Sequence, residues 1–81
     1  MNPIDIFALT VVAHSDLAPL MKPLNANLQI VLDFDIKFPG VQVWVFNNTN
    51  NHALAHRSRI MAREQLDDFV TEVRALASAA A

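Results

Sequence analysis

Apolar and polar residues alternate across the middle of the chain, from residue 28 to residue 38. A period of two is typical of a β-strand with one buried face and one solvated face. The apolar positions are Leu28, Ile30, Leu32, Phe34, Ile36 and Phe38, and the residues between them are Gln29, Val31, Asp33, Asp35 and Lys37. The pattern therefore predicts a first strand over residues 28–38.

Pro39 and Gly40 follow this strand, and Gly40 is the only glycine in the chain. Proline fixes φ and glycine adopts positive φ, so the pair predicts a tight turn into a second strand over residues 41–47. A two-residue turn in an antiparallel hairpin predicts this pairing: Phe38 with Val41, Ile36 with Val43, Phe34 with Val45 and Leu32 with Asn47. Trp44 and Phe46 then lie on the face that the first strand marks as solvated. A longer loop would shift the register by one residue.

A run of turn-forming residues at positions 47–51 ends the second strand. Beyond it, residues 52–61 fit two structures, a third strand or the start of one long helix that runs to Ala77. We favour a strand over residues 55–61, which closes an antiparallel meander. A helix then begins near Ala62 or Arg63.

The last quarter of the chain has a clear helical period. Its apolar residues are Leu66, Phe69, Val70, Val73, Leu76 and Ala77. Spacings of three and four residues place them on one face of an amphipathic helix. Acidic residues cluster in its first turns, where the helix dipole favours them.

The N-terminal segment starts like a helix, with a cap, a first-turn proline and a first-turn acid: Asn2, Pro3 and Asp5. Residues 6–13 are apolar on nearly every side, so a buried strand is the alternative. We predict a helix that breaks near residues 14–16, because Pro19 and Pro23 oppose its continuation. Residues 17–21 then form a short extra turn.

Together these elements predict an α+β fold: a short N-terminal helix, an antiparallel meander of two or three strands, and a C-terminal amphipathic helix packed on the sheet. The length of 81 residues suits one small domain over residues 1–81. The chain has 53% hydrophobic residues, 17% charged residues and no cysteine, hence no disulfide or thiolate metal site. So small a chain gains stability when a second copy packs on it, and we expect a homodimer.

Charge and hydropathy narrow the function classes. The net charge of −2 argues against broad binding to nucleic acids or anionic membranes. No apolar stretch approaches the about 20 residues of a membrane-spanning helix. The first basic residue is Lys22, so the start of the chain lacks the basic region of a signal peptide. We therefore expect a cytoplasmic protein with no membrane partner.

Candidate catalytic and metal-binding groups are few. His52 and His56 would share a zinc ion on a helix, but on a strand they lie about 13 Å apart, too far for one ion. Asp33 and Asp35 lie about 6.6 Å apart on one strand face, which fits a shared cation, acid–base catalysis or a solvated surface. The serines lie in no nucleophile motif, and one glycine excludes a glycine-rich phosphate loop. We expect no catalytic residue, metal or cofactor, and no enzymatic activity.

Three arginines, Arg57, Arg59 and Arg63, hold half of the six basic charges. Such a group suits a phosphate or an acidic protein surface, but it also suits a solvated strand or pairing with the acids of the last helix. No aromatic residue lies between Phe46 and Phe69 to stack on RNA bases. A small regulator that binds nucleic acid or an anionic ligand is therefore the second functional hypothesis.

Trp44 and Phe46 lead to the first hypothesis. One face of the sheet takes one layer of helix, so two aromatics on the other face need a cover: the N-terminal helix, a second protomer or a foreign partner. We predict a non-enzymatic protein-binding module that self-associates, and its size and composition also fit a phage or mobile-element accessory protein that blocks a host protein. Aromatic residues flanked by charge are typical of interaction hot spots. The predicted partner-binding residues are Trp44, Phe46, Asp33, Asp35, Arg57, Arg59 and Arg63.

Overall fold

A helix, three strands and a second helix follow one another along the chain. The structure is a computed structural model and describes residues 3–33, 37 and 39–80. The elements are α1 (Pro3–Leu24), β1 (Ala26–Asp33), β2 (Gly40–Asn47), β3 (Ala53–Ile60) and α2 (Arg63–Ala80). The predicted α+β fold is confirmed, including the third strand and the C-terminal helix on the sheet.

The strand β2 lies in the centre of the sheet, with β1 and β3 antiparallel on its two sides. Val41, Val43 and Val45 are buried on one face of β2, while Trp44 and Phe46 are half-buried on the other. Alternate β-branched residues suit such a strand because they pack well on a pleated surface. Buried residues from all five elements form one core on the valine face, so both helices lie on that face.

The pairing of β1 with β2 differs from the predicted register. Val41 lies opposite Leu32, where residue 38 was predicted, a difference of six residues along the first strand. All four predicted pairings are therefore wrong, because Asn47 lies opposite Ala26 and not Leu32, and the predicted partners of residues 34, 36 and 38 pair with other residues of β1. Phe34, Ile36 and Phe38 themselves lie outside the described residues. The strand ends at Asp33, and a longer connection replaces the two-residue turn, whose twist suits a hairpin poorly.

The side chains of β1 nevertheless lie on the faces of the sheet that the alternation predicts. Because six is an even number, the shift leaves every side chain on its predicted face. The pairs on the core side are Leu32 with Val41, Ile30 with Val43 and Leu28 with Val45. The valine face of β2 and the apolar face of β1 are therefore continuous.

The helix α1 is longer than predicted and continues through residues 14–16. The residues buried along its length are Ile6, Leu9, Ala13, Leu17 and Leu24. Their spacing keeps one side of the helix on the core across the predicted break. Pro19 and Pro23 lie inside the helix and deprive the carbonyls of Ser15 and Pro19 of their helical donors. Ser15, Pro19 and Pro23 are exposed, so water can bond to these carbonyls. The burial of the apolar side of the helix outweighs the loss of the two hydrogen bonds.

The predicted choice of helix over buried strand for the N-terminal segment is confirmed. Its predicted break and the separate turn after it are wrong. The predicted cap, Asn2, lies outside the described residues.

Asn25 ends α1 and joins it to the turn between β2 and β3. Its φ of 51° is the left-handed conformation that asparagine tolerates after a helix. Its backbone oxygen accepts a hydrogen bond from the backbone N–H of Asn48 at 2.9 Å, and its side chain bonds to those of Asn48 and Thr49. The predicted turn at residues 47–51 thus also fixes the end of α1.

The helix α2 begins at Arg63, as predicted, and its predicted apolar stripe is buried apart from the half-buried Leu76. Gln65 in the first turn accepts a hydrogen bond from the backbone N–H of Met61 at 2.7 Å. This bond satisfies a backbone donor just before the helix, much as a capping box does.

Gly40 has a different role from the one predicted. It is the first residue of β2, lies opposite Asp33 and does not have a positive φ. A Cβ atom at this position would lie 3.1 Å from the backbone oxygen of Ile60 and 3.3 Å from Cγ of Met61. Glycine therefore suits the close approach of the end of β3, which a side chain would crowd.

We expect Gly40→Ala to lower the free energy of unfolding by about 1–3 kcal/mol, because the new methyl group crowds a backbone oxygen that cannot rotate away. Urea titration followed by circular dichroism measures the change. The control is Ser58→Ala at an exposed position of β3, which should stay within about 0.5 kcal/mol of the native chain. Equal stability of the two variants would contradict the close approach.

We expect Asn25→Ala to lower the free energy of unfolding by about 1–2 kcal/mol, because alanine is strained at positive φ and makes no side-chain hydrogen bonds. Asn25→Gly removes the same hydrogen bonds without the strain and should cost less. Thermal unfolding of both variants separates the cost of backbone strain from the cost of the lost hydrogen bonds. A glycine variant as unstable as the alanine variant would show that the backbone conformation contributes little.

Candidate protein-binding surfaces

The face of the sheet turned away from both helices, here called the outer face, carries the predicted aromatic residues. Its described residues include Gln29, Val31, Gln42, Trp44, Phe46 and His56. Gln29, Trp44 and His56 are direct cross-strand neighbours and form one row across the three strands. The N-terminal helix, one predicted cover for Trp44, lies on the opposite face of the sheet and leaves this row uncovered.

The indole of Trp44 is stacked on two other rings. Its centroid lies 3.4 Å from that of His56, with an interplanar angle of 14°, and 5.4 Å from that of Phe46, with an angle of 6°. His56 is its partner on β3, and Phe46 is two residues along β2, so the pleat places all three rings on the same face. The three rings, called the aromatic ladder below, hold Trp44 in one orientation.

Gln42 fixes the polar atoms of the aromatic ladder. Its Oε1 accepts a hydrogen bond from Nε1–H of Trp44 at 2.6 Å and lies 3.1 Å from Nε2 of His56. Tryptophan can only donate, so the atom of Gln42 that it meets is the carbonyl oxygen. The same oxygen can only accept from His56, which therefore carries a proton on Nε2.

The three predicted arginines do not all lie on the outer face. Arg57 lies opposite Val43 on the helix side of β3, with its guanidinium 5.8 Å from the centroid of Phe69 and 3.4 Å from Glu72. Arg59 is exposed two residues further along β3.

Arg63 lies at the start of α2, 3.0 Å from Asp67 and 4.0 Å from Asp16. Arg57 and Arg63 thus contact acids of the helices. Exposed ion pairs of this kind stabilise a fold by about 0–1 kcal/mol. The three arginines do not form one cluster.

Of the two predicted aspartates, the structure describes Asp33. Asp33 is exposed at the end of β1, opposite Gly40, and Asp35 lies outside the described residues. The structure therefore does not describe the predicted pair of carboxylates. His52 lies just before β3 and His56 within it. Among residues 3–33, 37 and 39–80, no three His, Asp or Glu side chains come close enough to hold a metal ion.

A second apolar surface lies between α1 and the edge of β1. Phe7 is 63% exposed and Val11 is 54% exposed, one turn apart on α1. Beside them, Leu28 and Ile30 are only half-buried, although they point to the core side of the sheet. Together with Thr10 and His14 these residues line a groove of about 450 Å³, called the edge groove below.

Sequence reasoning did not identify Phe7 and Val11 as surface residues, yet the signal was present. Residues 6–13 are apolar on nearly every side, and a helix of that kind is expected to be buried all round. One sheet and one neighbouring helix cover only part of its circumference. The remaining apolar side of α1 is therefore exposed at the edge groove.

Within the described part of the chain, neither helix is long and apolar enough to cross a membrane. Comparison with known proteins finds no match among family models, curated proteins or solved structures. The outer face and the edge groove are therefore the features from which a function can be inferred.

We expect the neutral imidazole of His56 to be the Nε2–H tautomer, because the atom of Gln42 that faces Nε2 is the carbonyl oxygen, which can only accept a hydrogen bond. Long-range ¹⁵N–¹H correlation spectra of the ring distinguish the two tautomers. In Gln42→Ala the acceptor is gone and the preference should weaken. A dominant Nδ1–H tautomer in the native chain would contradict the geometry of the ladder.

Proposed function

We propose that the chain is a non-enzymatic protein-binding module that self-associates and holds a protein partner on the outer face of its sheet. The observation that carries this proposal is the aromatic ladder on a face that neither helix covers. The partner contributes an apolar contact to Trp44 and hydrogen-bonding groups to the surrounding polar side chains.

The physical state of Trp44 supports binding at this face. A side chain that is already stacked on both neighbours and bonded through its indole N–H loses little conformational freedom when a partner arrives. Tryptophan residues with these properties dominate the energetics of many protein interfaces. Gln29, Gln42 and His56 surround it with polar side chains, as in the rim of an interface.

The blocking of a host protein by a phage or mobile-element accessory protein is one form of the proposed function. In that form the partner is an enzyme or regulator whose functional surface is apolar. Binding through the outer face requires no catalytic group in this chain.

We expect Trp44→Ala to weaken binding of the partner by about 30-fold or more, the loss associated with a hot-spot residue of about 2 kcal/mol. The partner is first identified in the cells that produce the chain, with a photo-crosslinking amino acid at Asn27, which is exposed on the outer face opposite Phe46. The same amino acid at Thr71, exposed on α2, gives the background. Calorimetric titration then compares the native chain with Trp44→Ala.

The control for this titration is Arg74→Ala, which removes an exposed side chain of α2. It should bind as the native chain does. Equal crosslinking from positions 27 and 71, or unchanged affinity in Trp44→Ala, would contradict binding through the outer face.

A further inference from the structure

The two edges of the sheet differ in a way that identifies one of them as an interface. β3 pairs with β2 through two register shifts and carries Arg57 and Arg59. Bulges and cations are the usual means by which proteins keep a strand edge from pairing with another chain. The edge formed by β3 is therefore protected.

The edge formed by β1 has none of these features. β1 pairs with β2 in one unbroken register over eight residues, from Ala26 to Asp33, with no bulge. It contains no lysine, arginine or proline, and its only charge is Asp33 at its end. Among the described residues, β2 is its only strand neighbour. A regular edge of this kind is a template for another strand.

The edge groove runs beside this strand and is apolar. Phe7 and Val11 expose more of their surface than any other large apolar residues described in the chain, and both lie next to Leu28 and Ile30. A strand that adds to β1 brings its own alternate side chains against this groove. The occupant must therefore be an extended strand with apolar residues on alternate positions.

We propose that this occupant is β1 of a second copy of the chain, paired antiparallel so that two sheets of three strands become one sheet of six. The proposal rests on the self-association in the proposed function and specifies its interface. β1 itself has the required alternation, since its Leu28, Ile30 and Leu32 share one face. An isologous contact of one patch with itself also closes at two copies.

Charge selects the antiparallel arrangement. In a parallel pair the Asp33 carboxylates of the two copies would lie side by side, which is unfavourable. In an antiparallel pair each Asp33 lies beyond the uncharged start of the other β1, near its Asn25. The cost of like charges in contact is thereby avoided.

The position of the helices on one face requires that side chains of the same face pair across the twofold axis. A twofold axis at Gln29 places Leu28 of each copy opposite Ile30 of the other, so the helix sides of both sheets coincide. Phe7 and Val11 of the two copies then cover one continuous apolar surface. Gln29 is opposite Gln29 of the other copy on the outer face.

This pairing unites the two outer faces. Trp44 is the cross-strand neighbour of Gln29 in each copy, so the two tryptophans lie in one row, separated by three strand spacings or about 14 Å. The dimer thus presents two aromatic ladders on one side of a single sheet. A partner with a twofold or repeated surface fits this arrangement.

The first test is the solution mass of the native chain by light scattering over a range of concentrations, together with Val11→Asp. We expect a native dimer and at least a tenfold weaker dimer in Val11→Asp, because two carboxylates enter the apolar contact. The control is Ala75→Asp on the exposed side of α2, which should remain a dimer. Circular dichroism and thermal unfolding show whether each variant is folded.

The second test uses the absence of cysteine in the chain. In Gln29→Cys the two thiols would face each other across the axis, within reach of a disulfide, and a mild oxidant should convert most of the protein to a covalent dimer. Ser58→Cys, at an exposed position of β3, should remain largely uncrosslinked.

The outcomes separate the interface from the function. A native chain that is monomeric at all concentrations, or crosslinks at position 58 and not at position 29, overturns pairing through β1. A dimer that survives Val11→Asp and dissociates in Trp44→Ala also overturns it and places self-association on the outer face. Loss of partner binding in Trp44→Ala, with the dimer intact, supports the proposed function independently of the β1 interface.

Discussion

The burial of Val41, Val43 and Val45 beneath two helices is the interaction on which the rest of the structure depends. A three-stranded sheet has two faces, and both helices of this chain pack on the same one. Their contact with each other closes the core, and it also prevents either helix from reaching the other side. Among the described residues, the outer face and the edge of β1 thus remain uncovered because of how the core is built.

The faces of the strands could be predicted from the sequence, whereas the ends of the strands could not. Alternation assigned Leu28, Ile30 and Leu32 to the core side correctly, because a strand has a period of two wherever it ends. The same alternation continues beyond Asp33 and therefore carries no information about the end of β1. Pro39 and Gly40 predict a tight turn, but Gly40 instead permits the close approach of the backbone of Ile60, a contact between residues distant in sequence.

Of the candidate binding surfaces, the outer face could be predicted from the sequence and the edge groove could not. Trp44 and Phe46 could be placed on the outer face from β2 alone, because only their alternation with buried valines was needed. The exposure of Phe7 and Val11 depends on which side of α1 meets the sheet, and this is settled by packing. Likewise, the contact of Arg57 with Glu72 requires β3 and α2 to lie side by side, so the sequence left it as one of several interpretations.

The two prolines of α1 have a consequence for the dynamics of the molecule. The second half of this helix lacks two of its internal hydrogen bonds, and it is held in place by the burial of Leu17 and Leu24 and by the hydrogen bonds of Asn25. Local opening of this segment breaks fewer interactions than opening of the sheet and has a lower free energy than global unfolding. Its amide protons will therefore exchange with solvent faster than those of β2, and the molecule has a loosely held end and a rigid centre within one core.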